Sequence, residues 1–211
     1  CYYPEHWPED TWEADAERMK ALGLSTVRIA EFAWAKMEPE PGVFTWSWLD
    51  RAIATLGNAG LKVVLCTPTP TPPKWLTDAY PSTLRHSEDG LPEKHGSRRH
   101  CSVASKTYRE QSRRITLAMA DRYGQNPHII GWQTDNEYSC HDSTLSYGPE
   151  DREAFQIWLG KVYGDINTLN AQWGTVFWSM TYRSFEEIDL PNRLTADAAP
   201  AHWLDFRRFF S

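Results

Sequence analysis

Short apolar segments alternate with longer amphipathic segments along this chain. The apolar segments are predicted strands at residues 1–3, 25–30, 61–66 and 129–134. Apolar residues three and four positions apart predict helices at residues 8–22, 47–59, 106–123, 149–163 and 166–173. Strands covered on both faces by helices are apolar throughout, so this order predicts an α/β fold with parallel strands.

The lengths of the connections favour a closed barrel over an open sheet. Long loops follow the second, third and fourth strands, whereas helix-to-strand connections are short. This asymmetry is typical of a (β/α)8 TIM barrel, whose functional loops gather at the carboxyl ends of the strands. A complete barrel takes about 250 residues. We therefore expect residues 1–211 to be the N-terminal portion of such a domain, roughly its first half, lacking its C-terminal side and a few N-terminal residues.

Composition and charge argue against several classes of partner. The formal net charge of -6 leaves no basic surface suited to nucleic acid. No apolar run approaches the roughly 18 residues of a membrane span, and the first ten residues lack a signal-peptide pattern. We expect a cytoplasmic protein. The four cysteines form no CxxC pair and are expected to be free thiols. The 11 tryptophans fit either a large core or a sugar-binding cleft.

The fourth apolar segment ends in a cluster of amide and carboxylate groups, Gln133 to Glu137. A carboxylate at the end of a buried parallel strand lies at the mouth of a possible site, although for an isolated Asn-Glu pair a helix cap or a salt bridge is the favoured explanation. Other predicted strand ends and loops would bring further groups to this cleft: Arg28, Glu31, Arg98, Arg99 and His100. Such groups, with loop tryptophans, suit a hydroxyl-rich ligand.

Four segments of the sequence are distinctive: YYPEHW at 2–7, VRIAEFAW at 27–34, TPTPPKWL at 69–76 and GWQTDNEY at 131–138. These segments resemble those of glycoside hydrolase family 42 β-galactosidases. Similar phrases continue in the same order through residues 173–174 and 177–179. The resemblance implies a (β/α)8 catalytic domain that hydrolyses terminal β-D-galactosides with retention, in an enzyme that is often a homotrimer. No cofactor is expected.

The resemblance also implies roles for five residues. Glu137 is similar to the general acid/base, and Asn136 to the residue that hydrogen-bonds the sugar 2-hydroxyl. Arg28 and Arg98 are similar to the galactose-binding arginines, and Trp178 to a subsite aromatic. A retaining glycosidase also needs an ionised carboxylate about 5 to 5.5 Å from its acid. In the family this nucleophile comes from a later strand, so we expect it beyond residue 211 and expect the 211-residue segment alone to be inactive.

The chain departs from the family at two places. Glu186 and Glu187 form an acidic pair but match no catalytic motif, so they are expected to be solvated. Several family members hold a structural zinc on four cysteines, whereas residues 146–151 here contain no thiol. A zinc site would have to use His100, Cys101, Cys140 and His141. We expect no metal.

Two alternatives remain open. Asn136-Glu137 would suit another retaining barrel glycosidase, such as a β-glucosidase or an arabinosidase, equally well. A chain that keeps the arginines and tryptophans but lacks the nucleophile could instead be a non-catalytic galactoside-binding fragment.

Overall fold

The computed structural model describes residues 1–192 and 199–211, which form two compact units. The first unit comprises residues 1–80, 96–99 and 110–138. The second unit comprises residues 81–95, 100–109 and 139–211, apart from the residues outside the description.

A three-stranded parallel sheet forms the centre of the first unit. Its strands β1 (Thr26–Ile29), β2 (Lys62–Cys66) and β3 (Ile129–Gln133) lie in the order β1-β2-β3. Ile29, Val63 and Leu65 are fully buried, as expected of parallel strands. The register between β2 and β3 shifts after Val63, so that Gln133 is the partner of Cys66. The irregularity therefore determines that Gln133 of β3 lies beside the last residue of β2.

The predicted first strand is wrong. Tyr2 makes one strand-like hydrogen bond, from its backbone N–H to the carbonyl of Arg28 at 3.0 Å. The chain then turns into a 3-10 helix at Pro4–His6. Proline has no N–H to donate and a fixed φ, so the pairing does not continue. The described part of the first unit thus has three strands where the sequence predicted four.

Five helices accompany these strands: α1 (Trp12–Ala21), α2 (Trp34–Met37), α3 (Ser47–Asn58), α4 (Lys74–Ala79) and α5 (Lys106–Tyr123), of which residues 110–123 belong to the first unit. The predicted helix at 8–22 begins later, because residues Glu9–Thr11 form a 3-10 turn after Pro8. In α3, Leu49, Ile53 and Leu56 are buried on one face, which is the face that their spacing predicts.

The second unit is helical around an aromatic core. It contains α6 (Pro149–Tyr163), α7 (Ile166–Trp173) and α8 (Pro200–Phe209). The core consists of fully buried apolar side chains, Phe155, Leu159, Leu169, Ile188 and Phe206. The α6 and α7 boundaries agree with the predicted helices, since α6 begins at a proline and α7 follows the capping residue Asp165, which accepts from two backbone N–H groups.

No helix in the described ranges is both long and apolar enough to cross a membrane. The predicted solvated pair lies in the 3-10 turn Phe185–Glu187 of the second unit. There Glu186 is exposed, and Glu187 forms an ion pair with Arg183.

Candidate active site

The turn after β3 has an unusual backbone. Asp135 has a φ of 61° and Glu137 a φ of 47°, both in the left-handed region that non-glycine residues rarely adopt. Each such residue costs on the order of 1–3 kcal/mol unless its surroundings compensate. Asp135 and Asn136 are buried, whereas Glu137 is exposed. The turn therefore exposes the Glu137 side chain on a backbone that is strained but anchored.

The Asp135 carboxylate is that anchor. Its Oδ2 accepts a hydrogen bond from the Thr69 hydroxyl at 2.7 Å, and its Oδ1 accepts from the backbone N–H of Asn136 at 2.7 Å. Its own N–H donates to the Thr67 hydroxyl at 2.8 Å. Arg99 forms an ion pair with Asp135 and also donates to the carbonyl of Asn136 at 3.1 Å. These bonds hold the turn to the segment after β2 and to the loop that carries Arg99.

A chain of side-chain hydrogen bonds joins β1 to Asn136. Arg28 Nη1 donates to Gln133 Oε1 at 2.9 Å. Gln133 Nε2 in turn donates to Asn136 Oδ1 at 3.1 Å and to the backbone carbonyl of Asp135 at 2.9 Å. Two of the predicted site residues, Arg28 and Asn136, are therefore linked through one glutamine at the end of β3.

Glu137 lies beside Arg98. Their ion pair has an N–O distance of 2.7 Å, and 57% of the Glu137 side chain is exposed against 28% for Arg98. The Arg98 guanidinium also lies over the ring of Phe32, 5.8 Å from its centroid. A carboxylate this accessible can reach a ligand, and the adjacent guanidinium offers hydrogen-bond donors to the same ligand.

A fully buried carboxylate, Glu31, fixes the position of Arg28. Arg28 Nη2 contacts Glu31 Oε1 at 2.9 Å. Burial, together with the Glu31 charge, raises the pKa of the Tyr3 hydroxyl and raises the pKa of the Cys66 thiol to about 12. Both groups therefore remain protonated at neutral pH beside the ion pair. The two terminal nitrogens of Arg28 contact Glu31 and Gln133.

Trp178 belongs to the second unit. It stacks on Phe177 with ring centroids 4.4 Å apart, and it has a φ of 52°. Both rings are well exposed, Phe177 at 59% and Trp178 at 60%. The Trp178 ring is therefore accessible to solvent, and its backbone has a conformation that non-glycine residues rarely adopt.

Comparison with known proteins identifies the family. The chain matches the model of glycoside hydrolase family 42, described as β-galactosidase, over residues 1–211. It is 55% identical over 211 residues to a β-galactosidase of Thermus thermophilus, covering 100% of this chain and 33% of the relative. The chain belongs to glycoside hydrolase family 42. It therefore spans about a third of the length of the curated relatives it matches.

Solved structures of β-galactosidases are similar to this chain over its whole length. The β-galactosidase of the psychrophilic Marinomonas ef1 matches with a TM-score of 0.96 and 52% identity, over 100% of this chain and 32% of that chain. The enzyme of the Antarctic haloarchaeon Halorubrum lacusprofundi matches with a TM-score of 0.94 and 48% identity, also over 100% and 32%. The predicted resemblance and the α/β TIM-barrel class are thus confirmed.

Four of the five residues that the family 42 resemblance selects lie in the first unit. Arg28 and Asn136 are joined through Gln133, and Arg98 contacts Glu137. The fifth, Trp178, lies in the second unit. Sequence reasoning gave no role to Gln133 or Asp135, although both belong to the polar cluster that ends β3. Gln133 bonds to Arg28, 105 residues away in the chain, and Asp135 bonds to Thr69, 66 residues away, so local sequence offered no signal of these two contacts.

The region that corresponds to the zinc cluster of some family 42 members holds a hydrogen-bonded carboxylate. Asp151 is buried, and it accepts from the hydroxyls of Ser102 and Ser146 and from the N–H of Gly148, the last at 2.7 Å. Hydroxyl groups are poor zinc ligands compared with thiolate and imidazole, so this donor set does not fit zinc. Among residues 1–192 and 199–211, no group of three or more His, Cys, Asp or Glu side chains is placed to hold a metal ion.

All four cysteines, Cys1, Cys66, Cys101 and Cys140, lack disulfide partners. Burial raises the pKa of the Cys101 thiol to about 12, and this thiol contacts the Thr83 hydroxyl at 3.6 Å. A protonated, buried thiol is a poor nucleophile at neutral pH.

Proposed function

We propose that this chain supplies the acid/base side of the active site of a retaining enzyme that hydrolyses terminal β-D-galactosides. The observation that carries the proposal is the contrast between adjacent residues at the end of β3. Asn136 is buried and hydrogen-bonded, whereas Glu137 is exposed and paired with Arg98. A glycosidase acid needs this combination, in which the backbone is held in place and the carboxyl group reaches the glycosidic oxygen.

Glu137 is proposed to protonate the leaving oxygen and then to activate the water that releases the sugar. Asn136 hydrogen-bonds the 2-hydroxyl, a contact that strengthens as the oxocarbenium-like transition state forms. Arg28 and Arg98 donate to other hydroxyls of galactose, and Trp178 packs on a sugar face. Arg98 then exchanges its contact with Glu137 for a sugar hydroxyl when the substrate enters, which leaves the Glu137 carboxyl facing the glycosidic bond.

The nucleophilic carboxylate is proposed to come from a part of the enzyme outside these 211 residues. No acidic residue of the chain matches the family's nucleophile motif. A homotrimeric, cytoplasmic enzyme that acts without cofactor, nucleic acid or membrane completes the proposal.

The test of Glu137 uses the full-length enzyme and two galactosides that differ in their leaving group. Glu137→Gln is expected to lower kcat for an alkyl β-galactoside by about 10²–10⁴-fold, because an alkoxide leaves only when protonated. The loss of the first chemical step is expected to be smaller for 4-nitrophenyl β-galactoside, whose leaving group needs little protonation. Added azide should restore turnover of the latter and yield β-galactosyl azide, since azide attacks the glycosyl-enzyme without a general base.

Glu186→Gln makes the same change at an exposed position of the second unit and should leave both rates unchanged. Equal losses for the two leaving groups in Glu137→Gln, with no azide product, would show that Glu137 is not the acid/base.

Two other functions can be distinguished from β-galactoside hydrolysis by comparing the turnover of different glycosides. Faster turnover of a β-glucoside or an arabinoside than of the β-galactoside would favour another retaining glycosidase. Binding of galactose without turnover of any glycoside by the full-length protein would favour a non-catalytic binding role.

A further inference from the structure

Gln133 is the last residue of β3, and it contacts two residues with proposed roles in galactoside binding. Its Oε1 lies 2.9 Å from Arg28 Nη1, and its Nε2 lies 3.1 Å from Asn136 Oδ1. Its Nε2 also lies 2.9 Å from the backbone carbonyl of Asp135. The side chain is half-buried, and its backbone carbonyl accepts from the Thr67 N–H, so both ends of the residue are held.

The chemistry of the neighbours fixes which way the Gln133 amide points. An arginine guanidinium can only donate hydrogen bonds, so the group facing Arg28 must be the oxygen of Gln133. A backbone carbonyl can only accept, so the group facing Asp135 must be the nitrogen. A flipped amide would place donor against donor at one end and acceptor against acceptor at the other.

This orientation determines the orientation of Asn136. Because Gln133 Nε2 donates to it, the oxygen of the Asn136 amide is already engaged inside the protein. The end of the Asn136 amide that points away from Gln133 is therefore its NH2, a donor. A sugar hydroxyl that meets this NH2 accepts from it through its oxygen and directs its own hydrogen elsewhere.

We propose that Gln133 is a positioning residue for hydrolysis. Because Arg28 can only donate, the Gln133 amide has one orientation, and its NH2 in turn orients Asn136 so that the Asn136 NH2 faces the 2-hydroxyl of the sugar. This inference rests on the proposed function. Preorganisation of this kind lowers the barrier because the amide does not have to reorient when the transition state forms. Gln133 acts through Asn136 and need not touch the sugar.

The experiment compares two variants of the full-length enzyme. Gln133→Met keeps a side chain of similar length and removes both hydrogen-bonding ends. Gln133→Glu keeps the acceptor that faces Arg28 but replaces the donor that faces Asn136 with a second acceptor. Gln125→Met is the matched control, because Gln125 is exposed in the loop after α5.

We expect both Gln133 variants to lower kcat for 4-nitrophenyl β-galactoside by about 10- to 100-fold, the loss typical of a misplaced active-site contact, with KM changed by less than about threefold. With the 2-deoxy analogue of the same substrate, each variant should match the parent enzyme within about threefold, because the hydroxyl that Asn136 addresses is already missing. The non-additivity is the signature that a purely structural role would not produce.

Three results would overturn the inference. A kcat of Gln133→Met equal to that of Gln125→Met on the 2-hydroxyl substrate would show that Gln133 has no role in hydrolysis. Equal losses on the 2-hydroxyl and 2-deoxy substrates would show general damage to the site. Full activity of Gln133→Glu would show that only the contact with Arg28 matters, and this arm remains decisive if Gln133→Met does not fold. An enzyme that turns over no galactoside before mutation would instead contradict the proposed function.

Discussion

At the level of single residues, the left-handed turn after β3 depends on Asp135. Its carboxylate accepts from Thr69, Arg99 and the N–H of Asn136, and its N–H donates to Thr67. Only 12% of the Asp135 side chain and 8% of the Arg99 side chain are exposed, so the pair lies largely out of water. Removing one partner of such a pair leaves the other charge buried and uncompensated. The turn that carries Glu137 is therefore a point at which stability and activity are coupled.

Asp135→Asn tests this coupling in the full-length enzyme. If the new NH2 faced Arg99, it would oppose a group that only donates, and if it faced Thr69, the hydroxyl would have to give up its present hydrogen bond. In either case the charge opposite Arg99 would be lost. We expect destabilisation of about 2–4 kcal/mol together with a lower kcat. Thermal unfolding and steady-state kinetics measure the two effects.

Asp78→Asn provides the control, because Asp78 pairs with Lys74 on the surface of α4, where both side chains are about 60% exposed. Exposed pairs contribute about 0–1 kcal/mol. If Asp135→Asn unfolds at the same temperature as Asp78→Asn and retains kcat, the turn does not depend on the Asp135 charge.

At the level of helices, the second unit buries a histidine among aromatic rings. His202 of α8 stacks between Phe155 of α6 and Trp173 of α7, with centroid distances of 5.9 and 4.9 Å. Burial lowers the His202 pKa from 6.5 to about 4, although a hydrogen bond to the backbone of Asp189 and the charges of Asp189 and Asp205 act in the opposite direction. The helices therefore pack around a neutral imidazole.

The sign of the resulting pH dependence follows from the lowered pKa. Between pH 6.5 and about pH 4 the unfolded chain binds a proton at His202 and the folded chain does not. The contribution of His202 to stability is complete above pH 6.5 and is lost as the pH falls through this window. The loss is on the order of 2–3 kcal/mol.

His202→Phe should keep the stacking and reduce the acid sensitivity. We expect the difference in thermal midpoint between pH 7 and pH 4.5 to be smaller in His202→Phe than in the parent protein. His6 is exposed, and His6→Phe should leave this difference at its parent value. An identical acid dependence in all three proteins would contradict a neutral buried His202.

At the level of the whole molecule, the proposed retaining mechanism needs two carboxyl groups, and this chain offers a candidate for one of them. Glu137 supplies the proposed acid/base, and the family 42 relatives that the chain matches are about three times as long. A single carboxyl group cannot form the glycosyl-enzyme intermediate and protonate the leaving group at the same time.

The purified 211-residue chain is therefore expected not to hydrolyse 4-nitrophenyl β-galactoside, whereas the full-length enzyme does. Product release in a continuous absorbance assay, with circular dichroism to establish that the chain is folded, provides the measurement. Hydrolysis by the 211-residue chain that disappears in its Glu137→Gln variant would show that these residues contain a complete active site.

The sequence predicted the helices of this protein better than its first strand. Helix α3 and helix α6 begin where predicted and end within one residue of the prediction, because the spacing of apolar residues and a proline or glycine at an end are local signals. The strand predicted at residues 1–3 failed because a strand exists only if a neighbour pairs with it, and Pro4 ends the pairing after Tyr2.

The sequence by itself determined the α/β class, the family resemblance and the position of the Asn136-Glu137 pair, since each depends on local patterns or on collinear motifs. Only the tertiary structure decided that Gln133 connects Arg28 to Asn136 across 105 residues of chain, and that Asp135 anchors the turn through Thr69 and Arg99. The physical reason is that a hydrogen bond depends on the placement and the donor or acceptor character of both partners. Residues far apart in the chain meet only when parallel strands are brought into register.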